Sequence, residues 1–139
     1  KMNFIFLAIK EHPWGREMLS QLLNSNFIPS LIIQEFSEGG EVEREKFEFR
    51  IGTHTVGPTI ESQSKKHNIP VVEVSIHNDE HCMEHIEKAK PDLIVFGGTR
   101  IIRGKILEYG ESRGGVLNSH PGLFPWPDRY GLRKIPVYL

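Results

Sequence analysis

The sequence predicts an α/β protein, a mostly parallel sheet covered by helices on both faces, and three observations support that prediction. Apolar runs of strand length alternate along the chain with segments of helical periodicity. The first run, Phe4 to Ile9, is apolar throughout, as expected for a central strand buried on both faces. The 139 residues are 38% hydrophobic and 25% charged, which is typical of one compact domain over residues 1–139 rather than of a disordered or coiled-coil chain.

The remaining elements are predicted from periodicity, β-branched content and turn residues. They are a helix over 16–24, a strand over 29–33, a mobile loop or exposed ribbon over 37–50, a surface helix over 59–67, a strand over 70–74, a helix over 79–90 capped by Asn78 or Asp79, a strand over 93–96, a helical turn over 105–109 and a last strand from Gly115. We find no internal repeat and no convincing domain boundary.

Charge and composition disfavour several classes of function. The net charge of −1 and the pI near 6.7 leave no global positive field for nucleic acid. No apolar run approaches the roughly 20 residues of a membrane helix. Cys82 is the single cysteine, so no internal disulfide is possible, and the first residues lack the regions of a signal peptide. We therefore expect a cytoplasmic protein.

Ligands of such sheets bind beyond the carboxyl ends of the strands. The loop after the first strand, Lys10 to Gly15, has neither the Gly-x-Gly-x-x-Gly spacing nor the Gly-Lys-Ser/Thr of a phosphate loop. A nicotinamide cofactor and nucleotide triphosphate hydrolysis are therefore both disfavoured.

The most informative segment is Asn118-Ser119-His120-Pro121-Gly122, which follows the last predicted strand directly. Asn118 and His120 are two positions apart, so on an extended backbone their side chains share a face. Pro121 pushes His120 toward the extended region. An amide donor beside an imidazole suits acyl transfer, because one stabilises a tetrahedral oxyanion and the other moves protons. The alternative is a strand end whose polar residues cap neighbouring backbone groups.

Asn-x-His-Pro-Gly-x-x-Pro after an apolar strand, with Pro-Asp-Leu-Ile-Val-Phe-Gly-Gly-Thr-Arg-Ile-Ile upstream, resembles the folate-dependent formyltransferase family. The likeness is tightest from Pro91 to Pro125 and implies a Rossmann-like formyltransferase fold. It also implies a formyl donor, 10-formyltetrahydrofolate, and an acceptor amine. By resemblance, Asn118 and His120 are catalytic, while the loop Gly98, Thr99, Arg100, Ile101 and Ile102 wraps the pteridine ring of the donor.

The sequence departs from the family pattern after Pro125. The family's third catalytic residue, an aspartate, falls beyond Leu139, and Asp128 lacks its sequence context. The resemblance therefore implies a chain in which the C-terminal part of the family fold is missing. Two alternatives stay open: a formyltetrahydrofolate hydrolase, in which water replaces the amine, and a non-catalytic binding module that keeps the motif.

The acceptor is not identified by the sequence. Family members acting on glycinamide ribonucleotide carry a Gly/Ser/Asn-rich phosphate cradle after the first strand, which Lys10 to Gly15 does not resemble. Members acting on initiator methionyl-tRNA or on amino sugars attached to nucleotides lack that cradle and are more similar. Residues 37–50 are acidic on balance, which weighs mildly against a loop that grips tRNA.

Other candidate residues have simpler explanations. On a helix from Asp79, His81 and His85 share a face near His77 and Cys82, yet a metal site needs at least three ligands, so no metal is predicted. Trp14 and Arg16 lie beside the expected cleft, although a tryptophan at a helix start usually packs against its sheet.

Overall fold

The computed structural model describes residues 2–119 and 137–138. Their elements are β1 (Phe4–Ile9), α1 (Pro13–Asn24), β2 (Leu31–Glu35), α2 (Glu38–Ile51), α3 (Ile60–Lys66), β3 (Val71–Val74), α4 (Glu80–Ala89), β4 (Leu93–Phe96), α5 (Lys105–Glu111), β5 (Val116–Ser119) and β6 (Val137–Tyr138). No helix in this described part is long and apolar enough to cross a membrane.

The strands form one sheet in the order β3-β2-β1-β4-β5-β6. The first five in this order are mutually parallel, and β6 pairs with β5 in the antiparallel direction. All six residues of β1 are buried, which confirms the central strand predicted from the apolar run. The chain adds β2 and β3 on one side of β1 and then crosses over to add β4 and β5 on the other side. The carboxyl ends of the neighbouring strands β1 and β4 therefore mark the switch point at which such sheets bind ligands.

Each face of the sheet has its own apolar core, and helices cover both. On one face, Ile5 and Leu7 of β1 pack with Cys82, Ile86 and Ile106 from α4 and α5. The other core is built by Phe4, Phe6 and Ala8 of β1 together with residues of α1 and α3, among them Leu19, Leu23 and Ile60. The alternation of β1 side chains between two cores explains why its sequence is continuously apolar. The predicted fold class is confirmed.

Residues 37–50 are not a loop or ribbon, and that prediction was wrong. They form most of the helix α2. This helix has no apolar stripe, and Phe47, which is 9% exposed, is its one large buried side chain. Interactions within the helix compensate for the missing apolar stripe. The Ser37 hydroxyl accepts a hydrogen bond from Gly40 N at 2.9 Å, and Arg44 pairs with Glu41 at 2.6 Å one turn away. A capped first turn and i,i+3 pairs stabilise a helix whose pattern alone looks like an exposed ribbon.

The boundaries of the other elements agree with the predictions to within a few residues. The second strand begins at Leu31 and continues two residues past Ile33, through Gln34 and Glu35. Helix α1 begins earlier than predicted, at Pro13, because His12 caps it and proline suits the first helical position. Asp79 is the cap of α4, and its carboxylate accepts from Cys82 N at 3.0 Å.

Candidate functional site at the carboxyl edge of the sheet

Asn118 lies where the sequence predicted, near the carboxyl end of β5. It is partly buried, and its register partner on β4 is Phe96, the last residue of that strand. The carboxamide residue is therefore one strand spacing from the start of the loop after β4. His120 lies outside the described residues, so its position relative to Asn118 stays a prediction.

The loop after β4 begins against β1, and this contact requires glycine. Gly97 N donates to Leu7 O and Ile9 N donates to Gly98 O, both at 2.8 Å. A Cβ on Gly97 would overlap the Phe6 ring. Gly98 has a φ of +76°, and a Cβ there would lie 2.6 Å from His12 Nδ1. The two glycines thus let the loop cross directly over the switch point.

The loop residues that the resemblance assigns to the pteridine ring of the donor differ in how exposed they are. Ile102 is 8% exposed and belongs to the core between the sheet, α4 and α5. Ile101 is 71% exposed, and Arg100 is also exposed. The side chain of Ile101 is therefore available to a ligand, whereas the side chain of Ile102 packs in the core. The assignment of Gly98 to Ile102 to the donor stays a prediction.

A cavity of about 530 Å³ opens between this loop, the loop after β3 and helix α2. It is lined by Glu35, Glu43, Ile76, Asn78, Thr99, Arg100, Ile101 and Arg103. Asn118 is not part of this lining. It lies three strands away from Glu35 in the sheet order, roughly 14 Å at the usual strand spacing. The loop after β4 therefore runs between two places, Asn118 at one end and the cavity at the other.

Glu35 is a buried carboxylate in the cavity wall that the sequence analysis missed. It is 2% exposed at the end of β2. One of its oxygens accepts from His77 N at 2.9 Å, and the other accepts from the Ser37 hydroxyl at 2.6 Å and lies 3.9 Å from Arg100 Nη1. A polar pair, Gln34-Glu35, at the end of an apolar strand was the signal that could have found it.

His77 packs beside Glu35 and is also buried, at 1% exposed. Its Nε2 lies 2.9 Å from Ile33 O. Because a carbonyl oxygen only accepts, we assign the ring proton to Nε2. Nδ1 has no hydrogen-bond partner among the described residues and lies 3.5 Å from a Glu35 oxygen. Burial lowers the pKa of His77, with the Ile33 carbonyl and Glu35 acting in the opposite direction.

His12 is a second buried imidazole, located at the switch point beside Gly98. It caps α1 by accepting at Nδ1 from Trp14 N at 3.1 Å, and its ring centroid lies 4.8 Å from that of Phe47. Burial, reinforced by the positive charges of Arg50 and Arg44, lowers the pKa of His12 to about 4. The imidazole is therefore neutral at pH 7, with its proton on Nε2.

The remaining candidate residues from the sequence lie on α1 and on α4. Arg16 Nε donates to Gly57 O at 2.9 Å, and Trp14 Nε1 is buried without an acceptor in the part of the chain that the structure describes. The rings of His81 and His85 meet at 4.9 Å. Within residues 2–119 and 137–138, no group of three or more His, Cys, Asp or Glu side chains is placed to hold a metal. Burial raises the pKa of the Cys82 thiol to about 12.

Solved structures with a similar fold include formyltransferases and a deformylase. A phosphoribosylglycinamide formyltransferase from Streptococcus pneumoniae TIGR4 matches with a TM-score of 0.52 and 15% identity, over 90% of this chain and 59% of that chain. The corresponding enzyme from Coxiella burnetii gives 0.58 and 13%, over 98% and 63%. A formyltetrahydrofolate deformylase from Pseudomonas putida KT2440 gives 0.55 and 12%, over 94% and 44%.

The chain has the α/β formyltransferase fold. It spans between 44% and 63% of the length of these three proteins. No protein-family model matches the sequence, and no curated protein matches it significantly.

Proposed function

We propose that the protein transfers a formyl group from 10-formyltetrahydrofolate to an acceptor amine. The observation that supports this most is the register of β5 on β4, which holds Asn118 beside the loop of Gly97 and Gly98 at the ligand-binding edge. The carboxamide there is suited to donate to an oxyanion. The formyltransferase fold adds support.

In the proposed reaction the amine nitrogen attacks the formyl carbon and forms a tetrahedral intermediate. Asn118 donates a hydrogen bond to the oxygen that becomes negative. The C–N10 bond then breaks, the electron pair returns to N10, and the proton lost by the amine is delivered to N10. His120, whose ordinary pKa is near neutrality, mediates this proton transfer. Its role rests on the Asn-x-His-Pro motif.

The donor is proposed to lie along the loop of residues 98–102. Its formyl end faces Asn118, and the exposed side chain of Ile101 covers its apolar surface on the way to the cavity. A neutral His12 beside Gly98 suits an uncharged ring system better than an imidazolium would. The acceptor is proposed to be an amino sugar nucleotide or an aminoacyl-tRNA.

Hydrolysis of the same donor is the second candidate, because a deformylase shares the fold. Water would replace the amine as nucleophile, and the products would be formate and tetrahydrofolate. The two activities are separated by measuring tetrahydrofolate formation with and without an amine. Formate released at the same rate in both conditions would favour hydrolysis.

The test of the proposal is the effect of Asn118→Ala and Asn118→Asp on tetrahydrofolate formation. Aspartate keeps the shape but has no amide donor, so both variants are expected to lower kcat/KM by roughly a hundredfold or more. Asn24→Ala, at an exposed helix end, is the matched control and keeps wild-type turnover. Wild-type rates in both Asn118 variants would reject the mechanism.

His120→Ala is the companion variant. Loss of one positioned acid/base group is expected to lower the rate by at least about a hundredfold. The loss should persist at saturating donor concentration, because it concerns the chemical step rather than binding. Turnover near wild type would remove His120 from the chemistry.

A further inference from the structure

The side chain of Asn78 joins the loop after β3 to the loop after β4. Its amide nitrogen donates to Ile101 O at 2.8 Å, and its Oδ1 accepts from Arg103 N at 2.9 Å. The two partners define the orientation of the amide, because a carbonyl needs the NH₂ group and a backbone N–H needs the oxygen. Asn78 is thus bonded to the backbone on both sides of Ile102.

Asn78 is itself held between two fixed neighbours. The backbone N–H of His77, a residue 1% exposed, donates to the buried Glu35 carboxylate. Asp79 caps helix α4. Because the positions before and after Asn78 are anchored, its side chain has a firm base from which to hold the loop.

The bonding pattern has a consequence for the residue in between. Asn78 bonds the C=O of Ile101 and the N–H of Arg103, two residues further along the chain. The edge of a β-strand is paired in the same way, and there the residue in between turns its own N–H and C=O to the opposite side. That residue is Ile102, and its side chain is anchored in the core at 8% exposed. The hydrogen bonds to Asn78 and the packing of the Ile102 side chain in the core therefore fix the orientation of the peptide groups on both sides of Ile102.

We propose that Asn78 is a positioning residue for the folate donor. Its amide holds residues 101–103 in the shape that presents the exposed side chain of Ile101 and the backbone of Ile102 to the ligand. The inference rests on the proposed function and adds to it a residue that acts through the loop and not on the reacting atoms. It predicts a specific loss of donor binding when the amide is removed.

The experiment measures steady-state kinetics with the formyl donor and calorimetric binding of 5-formyltetrahydrofolate for Asn78→Ala and Asn78→Asp. Asn78→Ala removes two exposed hydrogen bonds and is expected to raise KM for the donor and the dissociation constant by roughly tenfold. The value of kcat should stay within about threefold, because Asn78 does not touch the reacting atoms. Asn78→Asp keeps the acceptor for Arg103 N but places a carboxylate oxygen against Ile101 O, so it is also expected to weaken donor binding.

Thr59→Ala is the matched control for a purely structural effect. It removes another side-chain acceptor of a backbone hydrogen bond, because Ser62 N donates to Thr59 Oγ1 at 3.1 Å at the start of α3. Thr59→Ala should lower the stability of the protein about as much as the Asn78 variants do, but it should leave the affinity for the donor unchanged. Amide hydrogen exchange at Arg103 should accelerate in Asn78→Ala, which removes the acceptor for Arg103 N, and should not accelerate in Thr59→Ala.

Three outcomes decide the inference. A selective rise in donor KM in the Asn78 variants, absent in Thr59→Ala, supports it. Donor affinity within about twofold of wild type in both Asn78 variants overturns it while leaving the proposed function intact. Absence of folate binding by the wild-type protein overturns the proposed function, and the positioning role with it.

Discussion

Acidification should destabilise this protein through His12. The pKa of the buried imidazole is lowered from 6.5 to about 4 by burial and by the positive charges of Arg50 and Arg44. Below pH 6.5 the unfolded chain takes up a proton at this position and the folded protein does not. The stability associated with the neutral ring is therefore fully present above pH 6.5 and is lost as the pH falls toward 4.

The size of the effect follows from the shift. A difference of about 2.5 pKa units corresponds to about 3 kcal/mol when integrated over the whole range. Between pH 7.0 and pH 4.5 the contribution of His12 is about 2 kcal/mol. Protonation would also remove Nδ1 as the acceptor for Trp14 N, so the same event weakens the cap of α1.

The assay is urea unfolding of wild type and His12→Asn at pH 7.0 and pH 4.5, followed by circular dichroism. Asparagine keeps an acceptor at the helix cap but does not titrate. The variant should therefore lose about 2 kcal/mol less than wild type between the two pH values, whatever its stability at pH 7.0. His54→Asn, which removes an exposed histidine, is the control. An equal loss in wild type and His12→Asn would refute the reasoning.

Three further changes test the packing of the site. Gly98→Ala should cost roughly 2 kcal/mol or more in urea unfolding, because its φ is +76° and the new Cβ would meet His12. Phe47→Ala should cost roughly 3 kcal/mol through the cavity it leaves, whereas Phe49→Ala on the same helix, 89% exposed, should stay within about 0.5 kcal/mol. Glu35→Ala should cost roughly 2–4 kcal/mol, because it leaves the buried His77 N–H and the partly buried Ser37 hydroxyl without their acceptor, and Glu35→Gln clearly less. Wild-type unfolding curves for Gly98→Ala, Phe47→Ala or Glu35→Ala would contradict the respective assignment.

The elements predicted correctly are those whose side chains face a core. The run from Phe4 to Ile9 has no polar position, and such a sequence is typical of a strand buried on both faces. The position of Asn118 near the carboxyl end of β5 follows for a related reason, since polar residues at the end of an apolar strand of a parallel sheet lie at the edge where such sheets bind ligands. Local pattern was sufficient in both cases.

The helix α2 and the Glu35–His77 pair required information that local pattern does not contain. Helix α2 is specified by a cap, ion pairs and the single buried anchor Phe47, so its sequence lacks an apolar stripe. Glu35 is buried because the backbone of His77, 42 positions away, supplies a hydrogen bond to it. A polar residue that is satisfied by a distant segment looks like the end of a strand until the fold is known.

Backbone amide chemical shifts recorded during a titration with 5-formyltetrahydrofolate test the central claim most directly. The account predicts saturable shifts at Gly98, at Arg100 to Ile102 and at Asn118, with β3 and α3 unaffected. A spectrum that does not change at saturating ligand, or changes only at sites distant from the carboxyl edge of β4 and β5, would contradict it.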